Sequence, residues 1–419
     1  MTERGLSRRV RVALAGVVTG ALLAAVGVTV WRVLRPADVS TPAITPYPQS
    51  ETDTVGPGKR GVFVAAPLIV DDRIRIFAKK REVWADGPPS YHYERSAYWA
   101  YRRWPAQLTG VVVAESPRSI VVTSWSDGVL VGIDAKTGKV VWRVEGEVLA
   151  DEYTGRRTGA DTVYSPPGLF TTDTSIITVG AETIRAYSTE GTRLWQIDNP
   201  VNAQCRGEEF ATSEQIYLLD TCTQTVRRID THSGNAQTPL GTSVKSVEPI
   251  SCATVTSLCR AVRLTSTDGT HTGWLLTESQ PIESAPLAQP GALLARDVAI
   301  VPNDPKKLTE LTGQDPRTGN VIWHWTAPAP STLLATSGER VIVLVSGRVL
   351  ATVNGLDGSD MARSGINLLH EPETPYEARI TYATNQYVVI ERINPDVIEE
   401  DSTDDAYYFT HRPVLIAIS

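Results

Sequence analysis

Val129-Leu-Val-Gly-Ile-Asp134-Ala-Lys-Thr-Gly138-Lys-Val-Val-Trp142 is the stretch on which the reading of this chain turns. Apolar, β-branched residues flank a short polar segment, so it reads as strand, tight turn, strand. Asp134 can accept hydrogen bonds from backbone amides inside the turn. Gly138 supplies a positive φ without steric cost. Trp142 opens the next strand, where an indole can pack between sheets.

The same unit recurs with variations. Tyr187-Ser-Thr-Glu-Gly191 precedes Trp195, and Asp315-Pro-Arg-Thr-Gly319 precedes Trp323. Asp230-Thr-His-Ser-Gly234 has Thr238 in the aromatic place, and Asn354-Gly-Leu-Asp-Gly358 has Ala362. The turn glycines are 53, 43, 85 and 39 residues apart, and the weak unit Trp274–Gln280 falls inside the long gap. Strand-rich repeats of about 40–50 residues mean a propeller or a related array. A propeller sets four-stranded blades radially and so protects their edges.

Residues 129–142 closely resemble the repeat of the pyrroloquinoline-quinone-like propeller family, Leu-x-x-Ile-Asp-x-x-Thr-Gly-x-x-x-Trp. Residues 183–195 and 311–323 resemble it more loosely. The resemblance implies an all-β propeller over residues 61–419, and six turn units from 138 to 358 with further strands in 61–104 and 380–419 fit seven or eight blades. The final strand Val414–Ile418 is expected to share a blade with an N-terminal strand. The family includes quinone enzymes and cofactor-free proteins, so the repeat speaks to fold more than to function. At the level of fold, the chain also resembles the propeller lipoprotein that helps assemble outer-membrane proteins.

Residues Val12–Trp31 contain no charge, a length that matches the ~20 residues needed to cross a bilayer. Arg4, Arg8, Arg9 and Arg11 precede the run, which orients residues 1–11 to the cytoplasm. The expectation is one transmembrane helix over 12–31, a cell-membrane location and an extracytoplasmic C-terminal domain. Gly16, Gly20 and Ala24 form a small-residue ridge suited to weak helix dimerisation. Residues 32–60 hold five prolines and read as an extended stalk. This layout resembles membrane-anchored propellers of high-GC Gram-positive (actinobacterial) type.

The net charge is −7, yet residues 1–35 carry six Arg and one Glu, which leaves −12 for the rest. An acidic domain of that kind argues against nucleic acid as a partner. The four cysteines, Cys205, Cys222, Cys252 and Cys259, read as two disulfides. Three pairings are open. Cys205–Cys222 with Cys252–Cys259 is favoured, because each pair joins neighbouring strands of one hairpin.

No catalytic, cofactor-binding or metal-binding residues are expected. There is no Gly-x-Ser-x-Gly elbow, His-Glu-x-x-His helix or phosphate loop. Quinone dehydrogenases of this fold typically pair adjacent cysteines over the cofactor, and no two are adjacent here. The acidic run 396–405 lacks the alternating ligands and central glycine of a calcium loop. Residues 79–104 depart from the repeat by mixing aromatics with basic residues. Trp84, Tyr91, Tyr93, Trp99, Arg102 and Arg103 are the candidate surface for an extracytoplasmic protein or envelope component. The competing reading makes Trp99 and Trp104 fillers between blades.

Overall fold

The computed structural model of the chain describes residues 8–35, 37–49, 58–115, 117–153, 158–276, 280–366, 376–394, 412 and 414–418. The acidic run 396–405 lies outside the described residues, as do His370 and His411.

The first sheet holds Pro67–Val70, Ile74–Lys79, Glu82–Asp86 and Trp99–Trp104. In the second, Leu108–Ala114, Ile120–Trp125, Val129–Asp134 and Val140–Glu145 pair antiparallel in chain order. The first strand is apolar on both faces and buried at all but one position. The last alternates partly covered and fully exposed residues. This gradient is that of a blade, with its first strand at the axis and its last at the rim. The three following sheets repeat the order: Leu169–Asp198, Arg206–Leu240 and Val244–Glu283.

Consecutive sheets bury apolar faces against each other. Val122 and Leu130 of the second sheet pack with Leu169 and Ile176 of the third. Phe170 and Ile184 of the third pack with Ile216 and Ile229 of the fourth. Tyr217 and Val226 of the fourth pack with Val262 and Leu264 of the fifth. The ring closes as the sequence suggested. Gly58–Phe63 pairs antiparallel with Val414–Ile418, so the two ends of the ring share one sheet and no edge is left open there.

The expectation of seven or eight blades is corrected to six. Among the described residues, six sheets have blade size, one of five strands and five of four. The remaining seven strands, from Leu293 to Gly365, form one continuous sheet instead of two separate blades. The reason is local. Val321–Ser337 runs as a single 17-residue strand. It pairs at one end with Leu308–Gln314 and at the other with Arg340–Val345, so one strand joins the two halves across a register shift between Leu308 and Glu310.

A second correction concerns the N-terminus. A helix does form, Arg8–Leu34. Yet no helix of the described residues is long and apolar enough to cross a membrane. That finding overturns the transmembrane helix over Val12–Trp31, the cell-membrane location and the membrane partner inferred from it. Thr19, Thr29 and three glycines dilute its apolar character.

Part of the proline-rich segment after the helix is extended and joins the ring. Ala37–Thr41 adds a fifth, outermost strand to the first sheet by pairing with Trp99–Trp104. Further on, the Ala43 amide donates to the Thr137 carbonyl and the Tyr47 hydroxyl to the Asp71 carboxylate.

Candidate functional site

The repeat residues meet as one device. Asp134 accepts from the Thr137 amide and hydroxyl, and the Gly138 amide closes onto the Asp134 carbonyl. Gly138 has φ 67°, so a side chain there is strained. The indole that the repeat carries docks on the turn of the next repeat. Trp142 donates its Nε1–H to the Thr189 carbonyl beside Gly191, at 2.8 Å. Trp195 does the same to Thr231 beside Gly234, at 2.8 Å, and Trp323 to Gly355 beside Gly358, at 2.9 Å. A small residue lies under the ring: a Cβ at Gly132 or Gly313 would sit 2.1 Å from the indole of Trp142 or Trp323. Asp230 and Asp315 cap their turns as Asp134 does.

Trp99 belongs to this set. Its Nε1–H donates to the Ala135 carbonyl at 2.8 Å, and its side chain covers Gly138. It is fully buried, and Trp84 is 5% exposed. Both lie in the main core, where Trp84 stacks on Phe77. Tyr93 is exposed, and Tyr91 is half-buried beneath the Arg95 guanidinium. Arg102 is exposed and paired with Glu82, while Arg103 bridges Asp38 and Asp127. The loop carrying Tyr91 and Tyr93 is pinned from inside. Arg75 and Asp86 form a fully buried bidentate pair, and the same guanidinium donates to the carbonyls of Tyr91 and Tyr93. The six residues therefore divide between core and rim.

A different cluster stands at the ring axis. The turns that follow the first strands of several sheets converge there and leave a cavity of about 420 Å³. Asp71, Asp72, Glu115, Arg260, Thr384 and Asn385 line it, and a second space of about 350 Å³ continues past Glu115 and Tyr382 to Leu68, Val112 and Asp173. Tyr382 forms part of the floor. It stacks on Tyr164 of the short helix Ala160–Tyr164, with ring centroids 5.1 Å apart.

The electrostatics of this mouth are one-sided. Asp71 accepts hydrogen bonds from the hydroxyls of Tyr47 and Ser119 at 2.8 and 2.9 Å. Burial and the nearby Asp71 charge push the Asp72 carboxyl up, partly offset by Thr384 and Arg340. Glu115 is pushed up first by loss of hydration, then by Asp71 and Asp72. Its surface is solvent-accessible, so the shift reflects partial desolvation low in the mouth rather than full enclosure. Arg260 sits across the cavity, and burial weakens its hold on the proton although Asp297 opposes this.

Both disulfides form with the favoured pairing, Cys205–Cys222 and Cys252–Cys259. Among the described residues the one grouping with metal-ligand spacing is Cys205, Asp220 and Cys222, and its two sulfurs are bonded to each other. The Cys252–Cys259 loop spans the axis. The Val255 amide donates to Tyr164, the Ala211 amide to Thr256, the Thr171 amide to the Ser257 hydroxyl, and the Leu294 amide to the Ser251 hydroxyl. The loop thus ties three other sheets together under the mouth.

A family model described as outer membrane protein assembly factor BamB matches residues 15–255, more than half of the chain. The chain belongs to the BamB family. No curated protein sequence matches it. Among solved structures it is similar to BamB from Moraxella catarrhalis, at 14% identity over 91% of this chain and 100% of that one, with a TM-score of 0.43. It is also similar to the computationally designed Ika8 protein, at 13% identity over 86% of this chain and 98% of that one, TM-score 0.48. The quinohemoprotein alcohol dehydrogenase from Comamonas testosteroni is 13% identical over 86% of this chain and 75% of its own, TM-score 0.40.

A BamB-family propeller fits a protein-interaction or scaffold role. Sequence reasoning missed the axial mouth of this propeller because its residues share no motif. Asp72, Glu115, Arg260 and Thr384 come from four turns far apart in the chain. The usable signal was positional, since the residues just after each first strand face the axis.

Proposed function

We propose that the protein is a non-catalytic interaction module that receives a partner protein at its axial mouth. One observation carries this reading. Asp71, Asp72 and Glu115 share a cavity in which burial and mutual repulsion push two of the carboxyls up. A basic side chain from a partner relieves that repulsion and fills the space. Family membership supports a binding role of this kind.

The lining also supports a non-enzymatic reading. A quinone over the axis needs a planar aromatic floor. The indoles of Trp99, Trp142, Trp195 and Trp323 are all committed to neighbouring turns, and none lines the mouth. Among the described residues Tyr382 is the one aromatic residue there, and its ring is already stacked on Tyr164. The residues present do not fit the group.

The test is site-directed photo-cross-linking from Asn385 in cells. The captured partner should be lost in the Asp72→Asn, Glu115→Gln double variant and retained in Arg143→Ala, which lies on the outer strand. Equal capture by the acidic variant and the parent sinks the proposal, as does quinone-dependent dye reduction by the purified protein with calcium.

A further inference from the structure

We propose that the turn Asp315–Gly319 is a docking notch for a tryptophan side chain carried by a partner protein. The notch shares a face with the axial mouth but lies at the outer rim, so it goes beyond the function proposed above.

Three other turns of the same build show what the notch holds. In Asp134–Gly138, Asp230–Gly234 and Asn354–Gly358 the glycine amide donates to the carbonyl of the first residue at 2.8, 2.9 and 2.8 Å. The glycines have φ of 67°, 73° and 74°. Each turn carries an indole from the last strand of the preceding sheet or half-sheet, namely Trp99, Trp195 or Trp323. That indole donates to the carbonyl of the turn's second residue: Ala135, Thr231 or Gly355. A Cβ on the three glycines would meet those indoles at 2.3, 3.0 and 2.7 Å.

Asp315–Gly319 has the same build. The Gly319 amide donates to the Asp315 carbonyl at 2.8 Å, and the glycine has φ 75°. Among the described residues a Cβ here meets nothing within 4 Å. The Pro316 carbonyl, which holds the acceptor position, takes no hydrogen bond among the described residues. The cause lies in the preceding sheet. Its last strand is only Ile282–Glu283 and brings no aromatic residue. Beside the notch, Val321 and Ile322 are 51% and 52% exposed and extend the apolar surface.

The chain has no spare indole of its own within the ring. Of its ten tryptophans, four are docked on turns, and Trp84, Trp104, Trp125, Trp274 and Trp325 lie in the strands of their own sheets. Trp31, on the N-terminal helix, is the exception. The committed occupant is an extended segment of another protein with a central tryptophan.

The probe is a synthetic peptide copying Lys139–Gly146, which carries Trp142, fitted with a photo-reactive group. Labelling should map to residues 316–322. It should fall about tenfold, the weight of one aromatic anchor, when the peptide carries Trp142→Ala or the protein carries Gly319→Asn. Asparagine tolerates the left-handed backbone while filling the notch. Gly269→Asn, at an equally open positive-φ glycine, should leave labelling unchanged. Should Gly319→Asn fail to fold, Ile322→Asp should give the same loss. Labelling that maps elsewhere, or that survives the peptide change or both protein variants, overturns the proposal. So does a marked rise in labelling when Trp31 of the tested protein is replaced by alanine, because that places the chain's own N-terminal helix, or a second copy's, in the notch. The Asp72→Asn, Glu115→Gln variant should label normally, which separates failure of the notch from failure of the mouth.

Discussion

Trp142, Trp195, Trp323 and Trp99 each combine an apolar ring over a glycine with one hydrogen bond to a turn carbonyl. Trp99→Ala should therefore destabilise the fold by about 3–5 kcal/mol, as expected for loss of a large buried aromatic. Arg102→Ala, exposed and paired only with Glu82, should change stability by less than about 1 kcal/mol. Denaturant titration of the two variants checks both numbers. Trp142→Phe keeps most of the packing and loses the Nε1–H bond, so it should cost about 1 kcal/mol. At the mouth, Glu115 has a carboxyl pushed up in the folded protein. The folded state then holds this proton more tightly than the unfolded chain, and ionising the group costs stability as pH rises through the interval between the two values. Glu115→Gln should stabilise the protein modestly at neutral pH, by less than about 1 kcal/mol because the group is solvent-accessible. The gain should vanish below the ordinary carboxylate range, which melting curves at several pH values will show. Asp134 and Trp142 were legible from the repeat alone, since turn chemistry is local. Glu115 was not, because its significance depends on Asp71 and Asp72 arriving from another sheet.

At the scale of elements, the two disulfides brace a region with weaker indole docking. The fourth sheet ends in Ala236–Leu240 without an aromatic residue, and the fifth ends in the two-residue strand Ile282–Glu283. Those are the sheets whose loops carry Cys205–Cys222 and Cys252–Cys259. Replacing either pair with serine should cost about 2–3 kcal/mol from restored freedom of the unfolded chain. The Cys252–Cys259 variant should also alter binding at the mouth, as Ser251, Cys252 and Leu258 line its cavity. A change in stability with no change in partner capture would restrict that disulfide to bracing. Cysteine pairing was legible because both pairs are near in sequence. The helix Arg8–Leu34 was legible as a helix, but its expected membrane crossing was not upheld. The fusion of two expected blades was also hidden. Val321–Ser337 contains Pro328 and Pro330, which in a sequence suggest an interruption. In the structure they lie between its two paired stretches, where no ladder bond is needed.

For the whole molecule, closure is the decisive contact. Val414–Ile418 sits between Tyr387–Ile393 and Gly58–Phe63, with Leu415 and Ala417 facing one neighbouring core and Val414 and Ile416 another. Deleting residues 414–419 should leave two unpaired edges and remove cooperative unfolding, measured as loss of a single melting transition together with aggregation. Retention of the parent transition would show that the ring holds without this strand. The sequence alone determined that the protein is a repeat-built propeller and which residues close its turns, and it favoured the cysteine pairing that forms. These features rest on interactions within about forty residues, and local chemistry writes them in a readable period. Tertiary structure alone decided the blade count, the burial of Trp84 and Trp99, and the acidic mouth. Each depends on how separate sheets meet around an axis, where residues remote in the chain set one another's burial and charge.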